Sequence, residues 1–322
     1  MKNKMLVVYN TCGIKKDNTE WYKECINSLL DQEFDDFHIV LSSCMNSIDC
    51  IREVYKTFRN SISYCFYPEP HTVNITFNKT VQECVSKFGE FECYVYIDSG
   101  CTFGDQTDVL SKSYKSLKKN DYAMLSLQVS TDEALQAIDP KYEYETEEIQ
   151  IVGEDLRIPL GKACNAHVIF HSNEYYKAYD GRLWPDIFAA FCTESTFTFL
   201  CSAIKKYWAI LKDVKIEHIK ATDGPSVGSS HLSVRYKNAW NNLLYGRNAL
   251  DFIEDEAAIQ CGLGYEECNN VMLHKPEAYD DNEFSTMPEE LISAIKKYFF
   301  LSKEELDYEN IKHKFVARGG AS

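Results

Sequence analysis

The sequence predicts an α/β fold built on a mixed, mostly parallel sheet with flanking helices, and three observations carry that expectation. Up to residue 97, short uncharged runs alternate with segments whose apolar residues recur at helical spacing, in the order strand, helix, strand, helix, strand, helix, strand. The last of these runs, Tyr94, Val95, Tyr96 and Ile97, is aromatic or β-branched throughout, as in a strand buried on both faces. It stops at Asp98, followed by Ser99 and Gly100, so a carboxylate stands where the chain leaves the sheet. That is the carboxyl edge, where open α/β folds bind ligands. The alternative is an Asp that only caps a turn.

Each element follows from its residues. Residues 5–9 form a short apolar strand ending at Asn10-Thr11-Cys12-Gly13, and residues 20–30 a helix with Trp21, Tyr22, Cys25, Ile26, Leu29 and Leu30 on one face. Residues 37–41 are the second strand, running into the polar loop 42–47, and residues 48–58 the second helix. The third strand, 61–67, is closed by Pro68 and Pro70, which cannot continue a central ladder. The helix at 74–88 runs through Phe77, Val81, Cys84 and Val85 and ends at Gly89, in the manner of a C′ glycine.

Beyond Gly104 the pattern loosens. Residues 107–117 are amphipathic, 122–129 form a strand, and the acidic, tyrosine-rich stretch 131–153, with Pro140 inside it, reads as a surface excursion. Further strands are expected at 168–170 and 208–211, with an apolar helix at 197–204. The stretch 220–231 is a loop with Gly224, Pro225 and Gly228 that ends at His231, and helical patterns follow at 238–258 and 288–306. The chain therefore divides into a ligand-binding domain at 1–223 and a mostly helical extension at 224–322.

Composition narrows the function classes. With 45% hydrophobic and 26% charged residues the chain folds as an ordinary globular protein. The net charge of −15 repels polyanions, which argues against a dedicated nucleic-acid binder. The thirteen cysteines are scattered with no Cys-x-x-Cys pair, so reduced thiols, several of them in the core, are expected in place of a zinc cluster or a disulfide framework. The apolar run at 5–9 is too short for a signal-peptide core and no stretch approaches a membrane span, so a cytoplasmic location is expected.

The segment order and several motifs resemble the nucleotide-binding half of the GT-A glycosyltransferases, in particular the inverting family-two group. Val8-Tyr9-Asn10-Thr11 is similar to the opening strand, whose polar end lies beside the nucleotide, and Ser28-Leu29-Leu30-Asp31-Gln32 to the family's first helix end. Phe77-Asn78-Lys79 resembles the start of the third helix, and Tyr96-Ile97-Asp98-Ser99-Gly100 stands where the family has Asp-x-Asp. The resemblance implies donor contacts from Asn10, Thr11, Ser42, Ser43, Asn78, Asp98 and Ser99. It places Asn165, His167 and Trp184 in the acceptor and sugar pocket. It also implies a catalytic base at Glu194, with Asp186 in reserve, in the loop that precedes the 197–204 helix.

Two departures matter. The turn after the second strand is Ser42-Ser43-Cys44 where the family carries an acid for the base, and Gly100 replaces the second acid of Asp-x-Asp, normally a metal ligand. Charge that builds on a departing diphosphate still needs a cation. Asp98 as a hard oxygen ligand suits Mn²⁺ or Mg²⁺, and a histidine is expected to complete the site: His231, with His218 and His274 as competitors. The function so implied is metal-assisted, inverting transfer of a sugar from a UDP- or GDP-sugar to a hydroxyl, whether on a glycan, lipid, protein or modified nucleic-acid base. The alternative is a catalytically impaired module of the same fold that binds a nucleotide sugar or a partner.

Overall fold

In this computed structural model the residues described are 4–11, 19–44, 48–67, 73–98, 100–120, 122–129, 151–152, 155–158, 167–185, 197, 200–201 and 203–218. The strands are β1 (Met5–Asn10), β2 (Phe37–Cys44), β3 (Ser63–Tyr67), β4 (Cys93–Ile97), β5 (Cys101–Thr102), β6 (Met124–Val129), β7 (Ile151–Val152), β8 (Asp155–Arg157), β9 (Val168–Ser172) and β10 (Trp208–His218). The helices are α1 (Thr19–Leu30), α2 (Ile48–Phe58), α3 (Val73–Phe88), α4 (Val109–Lys119) and α5 (Asn173–Ala178).

All ten strands join one sheet in the order β3-β2-β1-β4-β9-β6-β10-β8-β7, with β5 paired to β10. The first four strands in that order run parallel, as strands joined by crossover helices do. Strand β9 enters antiparallel between β4 and β6, and β6 and β10 are again parallel. The expected mixed, mostly parallel α/β sheet is thus the fold of the described residues.

Side-chain alternation sorts the core into two layers. Along β1, Leu6 and Val8 face one side with Phe77, Val81 and Cys84 of α3, while Met5, Val7 and Tyr9 face the other with α1, α2 and α4. Strand β4 repeats the pattern, Tyr94 and Tyr96 on the α3 side and Cys93, Val95 and Ile97 opposite. Every residue of β1 and β4 is buried, which explains their continuous apolar runs. Among the described residues, Cys25, Cys50, Cys84, Cys93, Cys101 and Cys201 are buried, which places several cysteines in the core as expected.

The structure corrects several boundaries. Strand β2 does not turn at Ser42 but continues through Cys44, because β3 supplies ladder partners from Val40↔Ser63 to Cys44↔Tyr67. Strand β10 extends past Leu211 to His218 across an irregularity between Leu211 and Lys215. The end of the expected surface excursion is strand: Ile151 and Val152 pair with Leu156 and Asp155. Helix α5 was not expected; the Ser172 side chain caps it by accepting from the Tyr175 N–H. The segments 219–322 and 186–196 lie outside the described residues. The expected helical extension, the 224–322 domain, Glu194, Asp186, His231 and His274 lie there too, as do Ser99 and Asn165. No helix among the described residues is long and apolar enough to cross a membrane.

Candidate functional site

The site is built on the carboxyl ends of β1, β2 and β4. Asp98 follows the last residue of β4, and its backbone N–H donates to the His167 carbonyl at 2.7 Å, which locks the start of β9 beside it. One carboxylate oxygen, Oδ1, accepts from the Tyr96 hydroxyl at 3.2 Å, and that hydroxyl accepts from Asn10 Nδ2 at 3.3 Å. The other oxygen, Oδ2, lies 3.3 Å from His167 Nδ1 and 4.0 Å from His218 Nε2. The two imidazoles stack at a centroid distance of 4.1 Å.

Gly100 explains why a glycine stands in the second acidic position. It has φ +87°, where a side chain is strained, and its N–H donates to the Tyr9 hydroxyl at 3.2 Å while its carbonyl accepts from Trp21 Nε1 at 3.2 Å. The turn is thereby tied to β1 and α1. It then feeds Cys101 into β5, whose partner in the antiparallel register is His218. Burial, with the Asp98 charge adding to it, pushes the Cys101 thiol well above its ordinary range. The ligand atoms of Cys101, His167 and His218 all lie within 4.8 Å of one another.

A second group of residues lines the sheet on the α3 side. Trp184 packs on Tyr96 at 4.5 Å, with its Nε1 buried and without a partner among the described residues. Its backbone is held by Asn78, whose Oδ1 accepts from the N–H groups of Leu183 and Trp184 at 3.0 and 3.1 Å and whose Nδ2 donates to the Trp184 carbonyl at 2.7 Å. One turn earlier, Asn74 Nδ2 donates to the Pro185 carbonyl at 2.9 Å. Ser42 shares a 2.8 Å hydrogen bond with Thr80, and Thr11 donates from its hydroxyl to the Ser42 carbonyl at 3.1 Å. Ser43 Oγ and Asn10 Oδ1 are buried with no partner among the described residues.

Of the residues singled out from the sequence, the structure joins Asn10 to Asp98 through Tyr96, sets His167 against Asp98, and places Thr11, just past β1, beside Ser42 of β2. Asn78 is fully buried, with both amide atoms engaged by the 183–185 segment. Sequence reasoning passed over Tyr96 and Cys101. It also put His231 forward with His218 only as a competitor, although Leu211, Val214 and Ile216, all buried, are apolar residues that carry a strand toward His218.

The sequence matches no protein-family model and no curated protein. Among solved structures it is similar to S. aureus TarS 1-349, with a TM-score of 0.53 and 12% identity over 84% of this chain and 69% of that one. It is also similar to the mannosyltransferase PcManGT from Pyrobaculum calidifontis in complex with GDP-Man and Mn²⁺, with a TM-score of 0.52 and 11% identity over 100% of this chain and 77% of that one. A third similarity is to GalNAc-T7 with UDP, GalNAc and Mn²⁺, with a TM-score of 0.59 and 10% identity over 92% of this chain. The chain spans 58% of the GalNAc-T7 chain and 54% of the longer TarS structure. These likenesses show a GT-A-like fold.

Proposed function

We propose that the chain is a glycosyltransferase that moves a sugar from a nucleoside-diphosphate donor to an acceptor hydroxyl with inversion at the anomeric carbon. The observation that carries this reading is Asp98: a carboxylate at the carboxyl end of a central parallel strand, with imidazole nitrogens at 3.3 and 4.0 Å, on a fold whose solved relatives include complexes with nucleotides and Mn²⁺.

The donor set fits a divalent cation. One carboxylate and two imidazoles suit Mn²⁺ better than Mg²⁺, which prefers an octahedron of oxygens. Asp98, His167 and His218 would hold the ion, which when bound neutralises charge on the diphosphate. His167 then belongs to the metal side of the site, with Asn165 and Trp184 left for the acceptor and sugar. Asn10, Thr11, Ser42, Ser43 and Ser99 border the donor, and Asn78 acts at one remove by holding the Trp184 backbone. The acceptor hydroxyl attacks from the face opposite the diphosphate, its proton passes to Glu194, and the nucleoside diphosphate leaves with the bonding pair; Asp186 is the second choice of base. The 1–223 portion carries this chemistry, with 224–322 as a separate extension.

A second reading, a module of the same fold that binds a nucleotide sugar without transferring it, is favoured by Gly100, which brings no carboxylate and is committed to Tyr9 and Trp21. One experiment separates the two. UDP-, GDP- and dTDP-sugars are screened with Mn²⁺ for calorimetric binding and for transfer or hydrolysis, with the anomeric configuration of the product read by NMR. Expected are Mn²⁺-dependent binding that Asp98→Asn abolishes and an inverted product. Glu194→Gln should lower turnover by roughly 10²–10⁴-fold with donor affinity kept. Binding without turnover selects the second reading, and equal nucleotide affinity in Asp98→Asn removes the site assignment.

A further inference from the structure

Three strands that are remote in sequence deliver nitrogen and sulfur donors to one point beside Asp98. His218 is the register partner of Cys101 across β10 and β5, and directly opposed residues of an antiparallel pair put their side chains on one face, about 4.5–5.5 Å apart at Cβ. His167 is brought in by β9, pinned through its carbonyl to the Asp98 N–H at 2.7 Å. The result is a thiol and two imidazoles with ligand atoms mutually within 4.8 Å, and a carboxylate oxygen 3.3 Å from one imidazole and 4.0 Å from the other. An ion pair between Asp98 and His167 accounts for two of these groups. The stacked second imidazole is drawn to the same carboxylate oxygen, and the sulfur that joins them makes a long hydrogen bond, 3.9 Å to the His167 carbonyl.

We infer that Cys101, His167 and His218 form a nitrogen-and-sulfur metal site, completed by Asp98, that takes an ion of the Zn²⁺ and Co²⁺ class. Tetrahedral zinc with bonds of about 2.3 Å to sulfur and about 2.0–2.1 Å to nitrogen brings neighbouring ligand atoms to roughly 3.3–3.6 Å, so side-chain rotation of about an ångström closes the present cluster. Thiolate and imidazole together select the later transition metals over Mg²⁺, and a four-ligand set of Cys, two His and Asp is complete for Zn²⁺. Mn²⁺, a harder ion, uses the oxygen and nitrogen ligands and leaves the sulfur. When the sulfur coordinates, the thiol proton passes to solvent. The inference rests on the metal role proposed for the surroundings of Asp98, and it does not need sugar transfer.

The test is a Co²⁺ titration of the full, reduced, metal-stripped chain followed by absorption. Thiolate-to-cobalt charge transfer in the near ultraviolet and the strong visible bands of tetrahedral cobalt are expected, both bleached by Zn²⁺. Cys101→Ser should lose the charge-transfer band, and His218→Asn should weaken cobalt binding at least tenfold. Absence of the band in the wild-type chain, or its persistence in Cys101→Ser, overturns the inference, the latter because another cysteine then holds the ion. Circular dichroism checks the variants; should Cys101→Ser lose its fold, Cys101→Ala takes its place, and the His218→Asn titration stands independently. Mn²⁺-dependent transfer from UDP- and GDP-sugars by the wild-type chain, with product read by NMR, decides the transferase reading separately from the cobalt result.

Discussion

His171 shows how one buried side chain sets the response of the protein to acid. It sits in β9 among the rings of Phe77, Tyr175 and Phe197, and its Nδ1 lies 3.3 Å from the Tyr94 carbonyl, so the neutral ring donates there. Full burial holds its pKa down to about 3. In the unfolded chain a histidine titrates near ~6.5. As the pH falls below that value the unfolded chain takes up a proton that the folded one refuses, so stability falls, and the loss continues until the folded pKa of about 3 is reached. His38, packed on Phe88 and also lowered by burial, acts with the same sign. His171 contributes a slope of up to about 1.4 kcal/mol per pH unit across this window. Urea unfolding at pH 7 and pH 5 should therefore show a clear loss on acidification, and His171→Leu, which cannot protonate, should reduce that loss although it is less stable at pH 7. An unchanged pH slope in the variant would show that His171 is not the group responsible.

At the scale of elements, α3 acts as a clamp as well as a crossover. Asn74 and Asn78, one turn apart on its buried face, carry the hydrogen bonds of the 183–185 segment and so fix Trp184 over Tyr96. Asn78→Ala strands two N–H groups and a carbonyl in the core, at roughly 1–3 kcal/mol for each group left unpartnered. Amide exchange should speed up at Leu183 and Trp184 well before β1 is affected; exchange that rises uniformly, or not at all, would refute the clamp. The alternation from β1 to β4 was legible because runs buried on both faces and helices of period 3.6 differ in spacing. The end of β2 was not, since Ser42 and Ser43 look like a loop until β3 supplies their backbone partners. Strand β10 was cut short because the irregularity between Leu211 and Lys215 breaks its pattern. The site divides in the same way. Asp98 could be read from the strand that ends at it, whereas Cys101, His167 and His218 meet only because β9 inserts antiparallel beside β4 and β10 folds back on β5. Strand order of that kind is not encoded in any local window.

For the whole molecule, the proposed function couples charge to ligand binding. The chain carries a net charge of −15, and the proposed donor site opens on the Asp98 carboxylate, so a nucleoside diphosphate alone would meet a repulsive field there. A divalent cation held there by Asp98 and its histidines would reverse the local sign, and each ligand would then raise the affinity of the other by the same factor. Ligands that bind the folded chain and not the unfolded one raise stability with occupancy: about 2.7 kcal/mol at a ligand concentration 100 times Kd, or roughly 4 °C in Tm for a chain of this size. Mn²⁺ and UDP or GDP together should therefore raise Tm by more than the sum of the two shifts measured separately. In Asp98→Asn the combined shift should collapse to that of the nucleotide alone. Differential scanning calorimetry with a matrix of metal and nucleotide concentrations makes the measurement. Strictly additive shifts would mean that the two ligands occupy independent sites, and the coupled donor site at the end of β4 would have to be abandoned.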